Sequence, residues 1–287
     1  MKHYIRIIFA QKHPMRFIVS RLSAEKHPAR FLVSRFLRMT KLCRLLHIQR
    51  TGYVLKFHPA SLAMALWVDP HCSRLDSEAI RALLRPGDSY VDVGANIGHL
   101  TIEAAFAVGD TGKITAFEAH PRTAEYLREN VELNNLTSVH VAQLAVGDAF
   151  RWVTFSDIDA DDQNKVLPKG RGIMVPMVRL DAFFAGEAIT LLKVDVEGWE
   201  KFVFLGAGQV LENVSFVYFE CWDEHFRRSG YSFLDIYDIL SSRGFTIASV
   251  KDGELLPIQR DHTFPKCVNL FAFRDMEKFV VRMGLGA

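Results

Sequence analysis

The stretch that decides the fold is "YVDVGANIGHL", residues 90–100. Its first half is an apolar segment rich in β-branched residues, which predicts a strand, and its glycines predict a tight turn. The apolar run that follows predicts a helix. In open α/β sheets, such strand–turn–helix units bind ligands at the carboxyl end of the strand. The stretch therefore predicts a ligand-binding turn.

A regular alternation of strands and helices extends from this unit. The strands are predicted at residues 89–93, 113–119, 138–146, 189–196, 214–221, 245–250 and 269–274. Helical patterns separate most of them, which indicates a mostly parallel sheet with helices on both faces. Since the last two strands have no helix between them, we expect an antiparallel strand at the edge of the sheet. The predicted class is α/β.

The charge distribution divides the chain into two parts. Residues 1–50 carry twelve Lys and Arg and one acid, a net charge of +11, whereas the remaining residues have a net charge of −9. We therefore predict a basic N-terminal helical arm at residues 1–50 and one globular domain at residues 51–287. The domain is expected to begin, over residues 51–87, with a hairpin that turns at His58-Pro59 and then a helix.

A short duplication lies within the arm. "KHPMRFIVSR" at residues 12–21 recurs as "KHPARFLVSR" at residues 26–35. Each copy predicts a short helix with a broad apolar face, and in the second copy Arg30 and Ser34 point away from that face. We expect the face to pack on the body or on a second subunit. Contact with an anionic membrane surface is the alternative.

Cysteine usage and hydropathy bear on the compartment. The four cysteines are scattered without a CxxC pair or a metal-ligand spacing, which predicts a reducing compartment and no metal site. No apolar run approaches the ~20 residues that span a bilayer. We expect a cytoplasmic protein whose arm could reach the inner membrane surface. The Arg-rich, acid-poor start has the composition of an organellar presequence, which is a less favoured interpretation.

The insertion at residues 150–180 contains "SDIDADDQN". Asp157 and the two next odd-numbered aspartates have the spacing of a calcium loop. However, Asp162 stands where that loop requires Gly, and Pro168 stands where it requires Glu. We therefore predict a solvated acidic loop over the site.

The glycine turn does not fit a phosphate. A dinucleotide fingerprint requires glycines at positions that are here Gly94, Asn96 and His99, and a Walker loop requires a Gly-Lys-Ser/Thr sequence that is absent. Asp92 and Glu118 end the first two core strands at the same edge. A pyrophosphate ~4 Å from one carboxylate would meet a repulsion of roughly 4 kcal/mol at an effective dielectric constant of about 20. The site therefore favours a cationic ligand.

S-adenosylmethionine has the required charges, because it carries a sulfonium, an ammonium and only one carboxylate. Its carboxylate can accept hydrogen bonds from the backbone N–H groups at the helix start. Its ammonium can face Asp92, and its ribose hydroxyls can donate to Glu118. Asp195 and Glu197 follow the fourth core strand at the same edge and add to the negative charge.

Five segments together carry a family resemblance: "VDVGANIGHLT", "AFEAHPRTAEYLRENVELN", "LAVGD", "VRLDAFF" and "LLKVDVEGWEKFVFLGA". Over residues 76–275 the chain resembles the FkbM-type family of S-adenosylmethionine-dependent methyltransferases. The resemblance implies a Rossmann-like, seven-stranded class I methyltransferase sheet and methyl transfer to a hydroxyl of a sugar or natural product. It also implies that Asp92, Gly94, Asn96 and Gly98 line the methionine end, that Glu118 binds the ribose, and that Gln143 and Ala145 lie near the adenine.

Catalysis of methyl transfer to an alcohol requires alignment and removal of a proton. Asp195 or Glu197 could orient or deprotonate the hydroxyl, and Lys193, on the same strand face as Asp195, could keep that carboxylate ionised. Lys193 and Asp195 could equally form a structural ion pair, and Glu197 could serve the first turn of the next helix. Glu220 is a third acidic candidate, whereas we expect His225 to lie on a surface loop.

Three functions are compatible with the sequence. The favoured one is O-methylation of a small-molecule or glycan acceptor by a monomer or homo-oligomer. The second is N-methylation of an amide or amine. The third is a membrane-docked binding module with a vestigial cofactor site. Nucleic acid is not an expected substrate, because the body around the site is acidic.

Overall fold

The computed structural model describes residues 27–158, 163–167, 170–184 and 186–285. The α-helices in these ranges are α1 Pro28–Met39, α2 Ser61–Val68, α3 Arg74–Leu83, α4 His99–Val108, α5 Pro121–Leu133, α6 Glu200–Leu205, α7 Asp223–Arg228, α8 Phe233–Ser241 and α9 Met276–Met283. The strands are β1 His47–Arg50, β2 Tyr53–Lys56, β3 Ser89–Val93, β4 Lys113–Phe117, β5 Val139–Ala142, β6 Ala145–Val146, β7 Arg151–Phe155, β8 Ile173–Val178, β9 Ile189–Val194, β10 Val214–Cys221, β11 Thr246–Lys251, β12 Glu254–Pro257 and β13 Val268–Phe273.

The central sheet has the strand order β12-β11-β13-β10-β9-β3-β4-β5. Strands β10, β9, β3, β4 and β5 are parallel, and helices join most of them, which confirms the predicted α/β class. The topology reverses between β3 and β9. Ligands bind at such a point in doubly wound sheets.

The predicted antiparallel strand, β13, is present, but it lies inside the sheet and not at its edge. β13 pairs antiparallel with both β10 and β11. The edge position belongs to β12, a strand that the sequence pattern did not reveal. β12 pairs with β11 across a tight turn in which Asp252 and Gly253 both have positive φ, the geometry that suits the twist of a two-residue hairpin.

The N-terminal hairpin is displaced from its predicted position. β1 and β2 pair antiparallel around Thr51-Gly52, where Gly52 has a φ of +92°. The chain after His58-Pro59 does not form a second strand but the helix α2, whose Ala63 and Leu66 are buried. A run of Ala, Leu and Met after a proline has the composition of a helix, and this preference decided the outcome. The hairpin also begins before residue 51, within the predicted arm.

The second repeat copy forms α1, which packs on α2 with a different face from the predicted one. Phe31 and Ser34 are buried, whereas Leu32 and Val33 are each 47% exposed and Phe36 is 60% exposed. Ser34 is accommodated because its hydroxyl donates to the backbone oxygen of Phe31 at 2.7 Å. Most of the predicted apolar face is therefore exposed. The first repeat copy lies outside the described residues.

The insertion forms a small sheet of order β6-β8-β7, where a solvated loop was predicted. β6 is the end of the predicted strand 138–146, which divides after β5. β7 and β8 pair antiparallel, and Phe155 and Val166 turn their side chains inward. Residues 159–162 and 168 of the rejected calcium motif lie outside the described ranges.

Two apolar layers hold the central sheet. On one face, Tyr90 and Phe216 pack with helices α3, α4 and α9. On the other face, Val194 and Phe219 pack with α6 and α8. Both layers end at the same edge, which leaves the carboxyl ends of β3, β4, β9 and β10 open to a cleft.

Candidate active site

The cleft at this edge encloses about 1200 Å³, counting its open mouth. Strand ends, the small sheet and the N-terminal helices all contribute to its wall. The lining side chains that matter below are Asn96, Glu118, Asp195, Glu197 and Glu220. The wall therefore combines several carboxylates with an apolar remainder, as is typical of small-molecule sites.

The two glycines of the opening turn have distinct structural reasons. Gly94 has a φ of +83°, and a Cβ there would lie 1.8 Å from the backbone oxygen of Asp195. Gly98 has a φ of +87°, and a Cβ there would lie 2.3 Å from Leu127 Cδ1. Gly94 borders the cleft, whereas Gly98 is not among its lining residues. The two glycines thus allow the turn to pack closely against Asp195 and Leu127. Gly98 does not border the cleft, so the prediction that it lines the ligand is wrong.

Asp92 does not reach the cleft. It is fully buried, and its Oδ2 accepts a hydrogen bond from Thr101 Oγ1 at 2.7 Å. Its Oδ1 lies 3.1 Å from Lys193 Nζ, because residues 92 and 193 are partners in the β3–β9 register and share a face. The predicted contact of Asp92 with the cofactor ammonium is therefore wrong. Asp92 is instead the counter-ion of a buried lysine.

Lys193 connects three groups beneath the cleft. Besides Asp92, its Nζ donates to the backbone oxygen of Gly94 at 3.0 Å and lies 3.6 Å from Asp195 Oδ2. Burial lowers the pKa of Lys193, but the neighbouring carboxylates outweigh that effect and raise it above its usual value. The lysine is therefore charged and fixes the turn relative to β9.

Asp195 is the carboxylate that faces the cleft from the end of β9. Its side chain is 40% exposed, and it lines the cleft. Partial loss of solvation raises the pKa of Asp195 to about 6; the charge of Lys193 opposes the rise and Glu220 adds to it. At neutral pH most of the carboxylate is ionised.

Glu118 is held by the backbone on both oxygens. Its Oε1 accepts from the N–H of His120 at 2.8 Å, and its Oε2 accepts from the N–H of Asn96 at 2.9 Å. Asn96 has a φ of +50°, and its Oδ1 accepts from Ile97 N at 2.7 Å. Since a carboxylate oxygen has two lone pairs, the fixed Glu118 can also accept from hydroxyl groups of a ligand.

The segment predicted near the adenine contributes mostly through its apolar residues. Leu144, Ala145 and Val146 line the cleft, and Gln143 does not. Phe155 of the small sheet lines the same region. This apolar wall could hold a flat heterocycle.

The loop after β9 is held by a residue that the sequence did not single out. Glu200 Oε1 accepts from the N–H groups of Val196 and Gly198, both at 3.1 Å, and its Oε2 accepts from Tyr231 Oη at 3.0 Å. Burial, followed by repulsion from a neighbouring carboxylate, raises the pKa of Glu200 to about 8. Helix α6 begins at Glu200, so Glu197 does not serve its first turn.

Glu197 projects toward Glu220 and His225. Its φ is +56°, and its side chain is 21% exposed. Burial and then the charges of Glu220 and Asp195 raise the pKa of Glu197 to about 10. His225 lies in α7 with only 6% exposure, so the prediction of a surface loop is wrong.

A further polar group was missed because its members are far apart in the sequence. Asp76 Oδ1 accepts from Tyr218 Oη at 2.6 Å and from Asn269 Nδ2 at 2.8 Å. These residues come from α3, β10 and β13, and all three line the cleft. The sequence did contain one indication of this group, because Tyr218 and Asn269 are polar residues within otherwise apolar strands.

His99 is a buried residue of the cleft wall. Its Nδ1 lies 2.7 Å from Tyr53 Oη, and its Nε2 lies 3.2 Å from Ser77 Oγ. Burial lowers the pKa of His99 to about 3. The imidazole is therefore neutral and joins the hairpin and α3 to the start of α4.

Comparison with known proteins identifies the group to which this site belongs. Residues 92–247, more than half of the chain, match the Methyltransferase FkbM domain. The chain belongs to the FkbM methyltransferase family. The resemblance stated from the sequence is thus confirmed, and membership of this family makes S-adenosylmethionine the cofactor, as predicted.

Relatives of this FkbM-family methyltransferase differ in how much they share with it. Methyltransferase 1 of Beauveria bassiana is 30% identical over 192 residues, which are 57% of this chain and 74% of that protein. A probable cobalt-precorrin-6B C(15)-methyltransferase (decarboxylating) of Sulfolobus acidocaldarius is 36% identical over 63 residues, 22% of this chain. The match spans only 33% of the length of the Sulfolobus protein.

A solved structure similar to the FkbM-family chain is that of a putative rRNA-methylase from Clostridium thermocellum. It aligns with a TM-score of 0.46 and 11% sequence identity, over 70% of this chain and 93% of that one.

Within the described ranges, none of the FkbM-family chain's helices combines the length and apolar character needed to cross a membrane.

Proposed function

We propose that this protein transfers the methyl group of S-adenosylmethionine to a hydroxyl oxygen of a sugar or natural-product-type acceptor. The observation that carries the proposal is the position of Asp195. Its carboxylate is exposed in the same cleft as the backbone-fixed Glu118, while its neighbour Lys193 is buried beneath it. A cofactor bound at Glu118 would therefore place its sulfonium within reach of a carboxylate that can accept a proton.

The cofactor would lie along the ends of β3 and β4. Glu118 would accept hydrogen bonds from the ribose hydroxyls, and Leu144 to Val146 would pack on the adenine. Asn96 and Gly94, which line the cleft, would border the methionine end. Its ammonium would be stabilised by the cleft carboxylates, and Asp92 would act only through Lys193. The negative wall suits the positively charged donor and favours release of the neutral thioether product.

The reaction would be an in-line displacement. The acceptor hydroxyl gives its proton to Asp195, a bond forms between its oxygen and the methyl carbon, and the carbon–sulfur bond breaks to leave S-adenosylhomocysteine. We assign the proton acceptor to Asp195 rather than Glu197 on geometry, because Glu197 is directed at Glu220 and His225. Lys193 is a positioning residue for Asp195.

The second candidate is transfer to nitrogen, since an amide or amine acceptor could occupy the same cleft. The two reactions differ in the product: an O-methyl ether is formed in one, and an N-methyl group in the other. Incubation of the protein with methyl-labelled S-adenosylmethionine and a metabolite extract, followed by NMR of the labelled product, separates them by the methyl chemical shift.

Variants of the cleft provide the decisive test of the base. Asp195→Asn should lower turnover by about 100-fold or more, the usual range for loss of a general base, while the affinity for S-adenosylmethionine changes less than about threefold. Asp148→Asn, a surface pair with Arg151, is the matched control and should leave both unchanged. Wild-type turnover in Asp195→Asn would show that another group accepts the proton. If wild-type protein neither binds S-adenosylmethionine nor yields a labelled product, the proposed function is wrong.

We also propose peripheral contact with an anionic membrane through α1. This helix exposes Leu32, Val33, Phe36 and Met39, the last to 84%, in a segment that is rich in Arg. An exposed apolar face with basic residues suits an anionic lipid surface. Phe36→Asp should reduce sedimentation with phosphatidylserine vesicles at least fivefold, whereas Val281→Asp on α9 should not. Equal sedimentation of both variants would contradict the contact.

A further inference from the structure

Three side chains from three elements converge beside Asp195. Glu197 follows β9, Glu220 lies near the end of β10, and His225 belongs to α7. His225 Nδ1 is 3.4 Å from Glu197 Oε2 and 3.4 Å from Glu220 Oε2. One donor atom of each residue lies within 4.8 Å of the other two. This group, called the EEH cluster below, has the composition and compactness of a metal-binding site.

The imidazole supplies an observation independent of the acidic residues. The side chain of His225 is more than nine-tenths buried, and its Nδ1 makes no well-aligned hydrogen bond with any described residue; the two carboxylate oxygens stand 3.4 Å away. The Trp222 ring, with its centroid 4.1 Å from the imidazole, fixes the orientation. A buried polar atom without a partner costs roughly 1–3 kcal/mol. A cation between Nδ1 and the two carboxylates would satisfy it.

The charge around the EEH cluster also favours a cation. Glu197 and Glu220 face each other with Asp195 nearby, and their repulsion, added to burial, raises the pKa of Glu197. The nearby Lys193 is already engaged with Asp92. Lys165 also acts on Glu197 and lowers its pKa, but its single positive charge does not outweigh the carboxylates, since the net shift is upward. Glu220 Oε1 accepts from Cys267 Sγ at 2.9 Å, while Oε2 is the oxygen directed at His225.

We propose that Glu197, Glu220 and His225 bind a divalent transition-metal ion, for which Zn²⁺ and Mn²⁺ are the probes. Nitrogen and oxygen ligands lie about 2.1 Å from such an ion. Two ligands at that distance and at a near-tetrahedral angle are about 3.4 Å apart, which matches both separations from Nδ1. An imidazole with two carboxylates suits these ions better than Mg²⁺ or Ca²⁺, which prefer oxygen ligands only.

The ion would act on the acceptor, so this inference deepens the proposed function and rests on it. Glu197 and Glu220 both line the cleft, and the remaining coordination positions would therefore open toward the acceptor side. An acceptor hydroxyl bound there would have its pKa lowered by the metal and would be oriented for attack. Asp195 would receive its proton. The expected acceptor is then a molecule whose hydroxyl has a second oxygen next to it, so that both oxygens can bind the ion.

The first test is metal binding itself, without acceptor. Protein freed of metal by a chelator should bind Zn²⁺ and Mn²⁺ at one site in calorimetric titration. His225→Ala and Glu220→Gln should each weaken that binding at least tenfold. Glu224→Gln is the matched control, because Glu224 lies on the same helix but pairs with Arg228, and it should bind metal as the wild type does. Circular dichroism of each variant establishes that it is folded.

The titration of S-adenosylmethionine on the same samples separates the two proposals. Binding of the cofactor with no saturable binding of either ion up to 1 mM, a limit set at roughly the weakest measured biological metal sites, overturns the metal site and leaves the proposed function standing. Metal affinity that is unchanged in both cluster variants also overturns it. Metal binding without cofactor binding refutes the proposed function instead. Turnover that falls on chelation and returns with Mn²⁺ or Zn²⁺ supports both.

Discussion

Lys193 Nζ and Asp92 Oδ1 lie 3.1 Å apart in the core, one on β9 and one on β3, at the point where the strand order reverses. Neither side chain is more than 6% exposed. The pair joins the two strands whose ends carry the glycine turn and the proposed base. Its energy therefore bears directly on the geometry of the cleft.

Removal of the lysine charge should destabilise the protein strongly. Lys193→Met leaves the Asp92 carboxylate buried without a counter-ion, and we expect the free energy of unfolding in urea to fall by about 3–5 kcal/mol. The double variant with Asp92→Asn should recover part of this loss. Lys201→Met removes a half-exposed pair with Asp235 and should cost less than about 1 kcal/mol. A cost for Lys193→Met as small as that of the control would show that the pair is not essential.

Neutralisation of Glu118 should weaken cofactor binding. In Glu118→Gln the side chain keeps its size but loses the charge that receives the ribose hydroxyls, so the Kd for S-adenosylmethionine should rise about 10- to 100-fold, the range for a charged hydrogen bond. Glu125→Gln, an exposed acid on α5, is the control for calorimetry. An unchanged Kd in Glu118→Gln would show that the ribose binds elsewhere in the cleft.

The glycine turn should reject even one methyl group. Gly94→Ala combines a φ of +83° with a contact of 1.8 Å to the backbone oxygen of Asp195, so we expect a loss of about 3 kcal/mol or more in the free energy of unfolding. Gly244→Ala has a similar φ of +77° but open space around the Cβ, and should cost about 1–2 kcal/mol. Thermal and urea unfolding measure the difference. Equal costs would mean that strain of the dihedral angle alone is responsible.

His99 should make the free energy of unfolding decrease as the pH falls. Its pKa is about 3 in the folded state and about 6.5 unfolded, so the unfolded chain takes up a proton first and stability is lost as pH falls below 6.5. From pH 7 to pH 5 the loss due to His99 should be about 2 kcal/mol. Urea titrations should show this slope flattened in His99→Gln and retained in His140→Gln, which changes an exposed histidine. If the free energy of unfolding varies with pH equally in both variants, a group other than His99 is responsible for the dependence.

The order of strands and helices was predictable from the sequence because it depends on local hydrophobic patterns. The predicted ends of β3, β4, β9 and β10 border the cleft, and Glu118 and Asp195 line it. What local patterns do not contain is pairing across the sheet. For this reason β13 was placed at the edge, and Asp92 was directed at a ligand instead of at Lys193, 101 residues away.

Several site residues could not be predicted from the sequence, because their contacts form only in the folded chain. Glu200 looks like an ordinary acid at a helix start, and only the folded loop shows that it accepts two backbone N–H groups. The EEH cluster joins residues 197, 220 and 225 from the loop after β9, from β10 and from α7, with none of the short spacings by which metal sites are recognised.

The interior position of β13 has a consequence for synthesis of the protein. The strand inserts between β10 and β11, and its Asn269 completes the hydrogen-bonded group with Asp76 at the cleft. While residues up to 251 have emerged from the ribosome and β13 has not, β10 and β11 each expose an unpaired edge to other nascent chains. The same strand thus supplies part of the site and ends the interval in which the chain is prone to aggregate. A cofactor that engages the cleft could bind the completed sheet only after that interval has passed.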